Sequence, residues 1–140
     1  MKQILCSIFG AVGSGLAYLF GGWDAALITL VIFMGIDFIT GLIVAGVFKK
    51  STKTETGALE SKAGFKGLCR KFMIFFYVLI ATRLDMMLGG EFIRNAVIIG
   101  FIVNETISIT ENAGLMGLPL PKSISGAIDL LKKKEGDTDE

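Results

Sequence analysis

The sequence predicts an all-α integral membrane protein: two transmembrane helical hairpins, about four spans in all, joined by a basic loop that carries an amphipathic helix. Three observations lead there. Of 140 residues, 52% are hydrophobic and only 19% charged, and the apolar ones gather in blocks instead of recurring at amphipathic spacing. The blocks form four runs of about 17–24 residues, enough to cross roughly 30 Å of hydrocarbon. Between the second and third runs lies Lys49 to Lys71, which holds seven Lys or Arg and two Glu. The 18 glycines suit a bundle in which small residues let helices approach closely.

The first run covers residues 4–20, behind Lys2. A charged start and an apolar core also describe a signal peptide, but no A-x-A-like cleavage site follows and a second run starts almost at once. Gly10 and Ser14, and Gly13, Ala17 and Gly21, recur at spacings of four, which makes small-residue stripes fit for helix packing. The turn Gly21-Gly22-Trp23-Asp24 allows only a tight hairpin, and Trp23 suits a membrane–water interface. The second run, residues 25–48, has one ionisable group, Asp37. Asp37, Thr40, Gly41 and Val44 share a helical face; being small and polar, that face should look at protein or water. The third run, residues 72–88, carries Arg83 and Asp85 and ends at Gly89-Gly90-Glu91. The fourth, residues 92–109, carries Arg94, Asn104 and Glu105. Residues 1–112 thus read as a membrane domain and residues 113–140 as a cytoplasmic tail. The tail has a Gly- and Pro-containing link and a helix from Lys122 with Ser123 as a cap. Ile124, Ala127, Ile128 and Leu131 lie on one face of that helix, and Lys132 to Lys134 close it. Gly136 to Glu140 read as an acidic, disordered end.

Within the basic stretch, Ser51 to Gly57 is polar and turn-like. From Ser61, a candidate cap, Lys62, Lys66 and Arg70 form one stripe and Phe65, Leu68 and Phe72 another. This describes a short helix on the membrane surface, running straight into the third span; the plainer reading is a solvated loop whose charges only set topology. With four spans, twelve of the 14 basic residues fall on one side: Lys2, the seven of the loop, Lys122 and Lys132 to Lys134. The two turns on the other side carry only Asp24 and Glu91. Lys and Arg collect in cytoplasmic segments, so both termini and the loop should be cytoplasmic. A three-span alternative leaves the fourth run in the interface and sends the tail across.

Asp37, Arg83, Asp85, Arg94, Asn104 and Glu105 form a candidate intramembrane polar network. A charge at the bilayer centre costs about 2.5–3.5 kcal/mol on insertion scales, so partners are expected. Asp37 and Arg83 each lie about a dozen residues, roughly 17 Å, from an end of the basic stretch, which predicts an Asp37–Arg83 pair. Asp85 and Arg94 both lie toward the outer turn and make a second candidate pair; Glu105 has no obvious partner. There is no His and only two Cys, Cys6 and Cys69. That excludes His-based catalysis and the usual zinc constellations, and no phosphate loop or activated Ser is evident. The chain is therefore not expected to be an enzyme or to hold a cofactor or metal. A Cys6–Cys69 disulfide is not expected on the reducing side of the membrane. Nucleic acid is an unsuitable partner, because the basic residues flank apolar runs and do not line a soluble face.

Five segments occur in order: Asp37-Phe-Ile-Thr-Gly41; Ser61-Lys-Ala-Gly-Phe-Lys-Gly67 followed by Arg70-Lys71; Asp85 closing the third run; Asn104-Glu-Thr-Ile-Ser-Ile-Thr-Glu-Asn112; and Gly117-Leu-Pro-Leu-Pro121. Their order and spacing, over most of the chain, resemble the phage lysis and toxin-secretion holins of Gram-positive bacteria and their phages. The resemblance implies a homo-oligomer in contact with the lipids of the cytoplasmic membrane. It implies lesions opened at a set time, through which a cell-wall hydrolase (endolysin) reaches the peptidoglycan without necessarily touching the protein, and in some relatives toxin release. It carries over no catalytic residues. From the residues alone, a small ion- or proton-coupled transporter or channel with Asp37 or Glu105 as its ion site stands as the alternative, and a passive scaffold as a third.

Overall fold

A computed structural model describes residues 1–138. Every element in it is helical. α1 spans Lys2–Leu19. α2 spans Ala25–Ile43 and continues into a π-helical turn, Val44–Phe48. α3 spans Ser61–Leu88, α4 Phe92–Leu115 and α5 Lys122–Thr138.

The boundaries follow the local chemistry. Asp24 caps α2, its Oδ1 accepting the Leu27 N–H at 2.9 Å, which satisfies one of the orphan donors of a first helical turn. The π turn ends where Lys49 adopts a left-handed conformation, φ 53°. α3 stops at Gly89, φ 73°, the conformation that glycine adopts at least cost. The amphipathic segment and the third apolar run form this one unbroken helix of 28 residues. Its cap is Glu60, whose side chain makes no capping bond to the helix; Ser61, expected to cap, is the first helical residue. The fourth run extends past residue 109 to Leu115. Gly136 and Asp137, expected to be disordered, lie in α5, and residues 139–140 fall outside the described range.

α4 is the central element and packs on α2, α3 and α5. Leu27, Leu30 and Met34 of α2, Ile74 and Val78 of α3, and Ile98 and Ile102 of α4 form one buried cluster. Each set repeats at three, four or seven residues, the spacing that keeps side chains on one helical face. In lipid such a core gains from close packing, since acyl chains are as apolar as leucine. α5 returns along α4 after the link at residues 116–121. Its Ile128 is buried and Leu131 packs against the α2–α3–α4 cluster. α1 stands apart, with no buried residue. A Cβ placed at Gly10, Gly13 or Gly15 would meet nothing within 4 Å; only the end of the Gly13–Ala17–Gly21 stripe, at Ala17 and Gly21, lies near α3 and α4.

Among the described residues, three helices are long and apolar enough to cross a membrane: α1, α2 with its π turn, and α4. The fourth run is thus among the candidates. α3 is not, because Lys71, Arg83 and Asp85 interrupt its apolar half.

Thermal unfolding in detergent distinguishes the core from α1. Leu30→Ala, at a site 0% exposed, is expected to cost about 2–5 kcal/mol. Leu19→Ala, on the exposed face of α1, should stay within about 0.5 kcal/mol; equal losses would make α1 as integral to the bundle as α2.

Candidate functional site

The faces that build the core end in polar groups. On α2 the stripe Leu27–Leu30–Met34 continues to Asp37 and Val44. On α3, Ile74 and Val78 lie between Lys71 and Asp85. On α4, Ile98 and Ile102 continue to Glu105 and Asn112. All of these but Lys71 are buried. Helical periodicity alone therefore brings charges together at two ends of a dry bundle.

The end beside the basic loop joins three helices. Lys71 Nζ of α3 lies 2.5 Å from Asp37 Oδ2 of α2 and also pairs with Glu105 Oε2 of α4. Asp37 is 5% exposed and Glu105 2%. Asn112 Nδ2 donates to Asp37 Oδ1 at 3.2 Å and to Thr40 Oγ1 at 2.9 Å. The stripe of Asp37 and Thr40 thus faces protein, as its small polar character predicts. With two carboxylates on one ammonium, the ionised cluster carries a formal charge of −1. A cavity of about 430 Å³ opens beside it, between the end of α2, residues 51–60, the first half of α3 and α4. Lys53 and Arg70 stand on its wall with the cluster.

The opposite end is built around Arg94. Its Nη1 lies 2.7 Å from Asp24 Oδ2 and its Nη2 3.3 Å from Oδ1. Nε donates to the Phe20 carbonyl at 2.6 Å and Nη2 to the Gly22 carbonyl at 3.1 Å. This guanidinium clasps the α1–α2 turn. Gly21 is required there, since its φ is +77° and a Cβ would sit 2.9 Å from Arg94 Nε. Asp85 accepts the N–H groups of Ile93 at 3.1 Å and Arg94 at 2.8 Å, so a carboxylate from α3 caps α4, where negative charge is favoured. The Arg94 hydrogen bond, aided by the Leu27 N–H, holds the Asp24 carboxyl below its usual range against the opposing effect of burial.

Two expected pairings change. Asp37 does not meet Arg83. Arg83 is exposed, with Nη1 3.7 Å from Met86 Sδ; it lies two residues from Asp85, about 200° around the helix, and so points away from the bundle. Lys71, read as a cation of the loop, takes its place. Asp85 and Arg94 do meet, but through the Arg94 backbone, while the guanidinium goes to Asp24. Glu105 has Lys71 as its partner. Asn104 is exposed on the edge of the cavity. Lys62, Lys66 and Arg70 form an exposed stripe on the first half of α3, beside Phe65, Leu68 and Phe72, which are exposed too. The capping role of Asp24 was readable from its place before an apolar run; that of Asp85, which caps a different helix, was not.

The sequence profile of the bacteriophage holin family matches residues 14–133. A Bacillus phage phi105 protein described as a probable holin is 33% identical, over 89% of this chain and 84% of that protein. An uncharacterised protein of Halalkalibacterium halodurans is 39% identical over 96% of this chain and 98% of its own length. A 14.9 kDa protein of Clostridium perfringens is 34% identical over 89% of this chain and 90% of its own. No solved structure matches the chain.

Two outcomes test the site. Lys71→Met should leave two carboxylates buried together and cost about 3–5 kcal/mol, read as a melting shift in detergent. Adding Asp37→Asn and Glu105→Gln should recover most of it, and Arg83→Gln should stay within about 0.5 kcal/mol; a Lys71→Met variant as stable as the parent would refute the three-helix tie. At the other end, a carboxyl held low in the folded state contributes stability that is fully present above its unfolded value, about 4, and is lost only as pH falls through the lower folded value. Fluorescence of the single Trp, Trp23, should therefore stay constant from pH 7 to about 5 and change below about 4. Asp24→Asn should remove that change.

Proposed function

The chain belongs to the bacteriophage holin family, and from that premise we propose that it self-associates in the bacterial cytoplasmic membrane and opens lesions there. Through these a cell-wall hydrolase reaches the peptidoglycan and lyses the cell; a toxin as passenger is a variant of the same reading. In this proposal the chain crosses four times, with both termini and the basic loop in the cytoplasm. The one-sided distribution of Lys and Arg supports this sidedness. A crossing α3 is supported by where its charges lie: Lys71 and Asp85 are compensated within the bundle, and Arg83, five residues from the end at Leu88, can extend toward the headgroups. The exposed Lys62–Lys66–Arg70 stripe with its apolar neighbours fits a helix lying on anionic lipid, each cation there being worth about 1 kcal/mol.

The observation that carries the lesion reading over the transporter reading is the dry layer. The loop-side and turn-side clusters are separated by the seven apolar residues of the core, so one chain offers no continuous polar path. A lesion then forms between chains, and α1, none of whose residues is buried, supplies area for such contacts. Because charge moved through the field is worth about 2.3 kcal/mol per 100 mV, loss of membrane potential is able to bias the opening.

Induced expression is the test. Respiration should stop abruptly after a delay, and a co-expressed muralytic enzyme lacking its own export signal should then lyse the culture. Solute-specific flux without sudden loss of viability would reject lesion formation in favour of a transporter.

A further inference from the structure

We infer that α5 is a detachable cover on α4, docked in one state of the chain and released toward the cytoplasm when α4 lies across the bilayer; this rests on the reading of α4 as a membrane span. The docked position is geometrically specific. α5 runs back along α4 so far that the Glu135 carboxylate lies against Gly100, where a Cβ would sit 2.7 Å from Oε1. Gly100 is the ninth residue of the 24 in α4, close to the middle of any span that helix forms. Leu131, one turn of α5 earlier, packs on the cluster that includes Ile98 and Ile102.

That position cannot persist in lipid. Lys132 and Lys133 sit between Leu131 and Glu135 and are exposed, so docking holds cations beside the middle of α4. At that depth hydrocarbon would surround them, and charges at the bilayer centre are strongly disfavoured. The same face of α4 is therefore covered either by α5 or by lipid and neighbouring chains. The contact suits release. Among the described residues of α5 Ile128 alone is buried, Leu130 is exposed, and the link at residues 116–121 turns at Gly117, φ +90°. Rotation there carries α5 from α4 to the cytoplasmic surface, where its lysines meet anionic headgroups favourably. Docking thus opposes the placement of α4 in the membrane, and its loss favours it.

Opposite variants of the full chain test this. Ile128→Asp with Leu131→Asp removes the docking contacts without touching the α2–α3–α4 tie. At equal membrane levels it should bring lysis forward, and in liposomes it should release an entrapped dye faster than the parent. Gly100→Cys with Glu135→Cys, in a background of Cys6→Ser and Cys69→Ser, should cross-link on oxidation. The oxidised protein should release dye slowly or not at all until dithiothreitol restores the rate. A release variant no faster than the parent, or an oxidised pair as active as the reduced one, would overturn the role of α5. A separate arm isolates the premise: Glu91→Cys in the same background should react with a membrane-impermeant maleimide from outside intact cells. Absence of that labelling would remove the spanning reading of α4, and with it this inference. Labelling without any effect of the two tail variants would remove the inference alone.

Discussion

One ammonium group holds the bundle together at its loop end. Lys71 of α3 pairs with a carboxylate of α2 and one of α4, and both partners are buried. Two like charges taken out of water can share a small volume only with a counter-charge and hydrogen bonds to complete their coordination. Lys71 supplies the first and Asn112 part of the second. The Lys71 contact also fixes α3, and with it the angle at which the exposed Lys62–Lys66–Arg70 stripe, one to nine residues upstream on the same helix, leaves the bundle. The position of the first half of α3 is thereby coupled to a buried ion pair.

The turn end is built on a different principle. There the cation binds backbone as much as carboxylate, since Arg94 takes two carbonyls of the α1–α2 turn along with Asp24. Arg is suited to this, because its planar fork presents several donors in a fixed geometry. The result is a rigid cap that joins the α1–α2 hairpin to the start of α4, and Asp85 joins α3 to the same point. Between the two ends the buried cluster is apolar. Each end can therefore respond to its own side of the bundle without a polar connection through the middle.

Much of this was legible in the sequence. Run lengths located α1 and α2 to within a few residues and the start of α4, though not its end at Leu115, and the stripe from Asp37 through Thr40 was recognisable as turned toward protein or water because its residues are small and polar. The pairing of Asp37 was not, and the reason is geometric. Depth along a helix was matched between Asp37 and Arg83, but depth alone does not fix direction. Lys71, Ile74, Val78 and Asp85 share one heptad-spaced face, and Arg83 lies outside it. Phase around the helix would have selected Lys71, despite its place at the end of a basic run that reads as solvated. The helix of the tail was also legible from Ile128 and Leu131, whereas its docking on α4 was not. Its amphipathic pattern fits a membrane surface, a soluble partner or another helix equally well, and only the Gly100 opening, a long-range feature, selects the last.

The distribution of buried area bears on how lesions between chains could be controlled. α2, α3 and α4 satisfy one another, through the apolar cluster and the two polar ends, and α5 covers part of what remains of α4. α1 satisfies nothing within the chain beyond its turn. A chain built this way has two kinds of unsettled surface: one permanently uncovered, along α1, and one conditionally covered, along α4. Association through α1 alone would proceed as soon as chains met, with no delay. A delayed opening needs a second surface that becomes available later, and it must become available cooperatively, because packed interfaces switch between discrete arrangements and do not deform continuously. The α4 face under α5 meets that requirement. In the proposed release, a cover attached by few apolar contacts and carrying Lys132 and Lys133 would leave for the headgroups, and neighbouring chains on the vacated face would oppose its return.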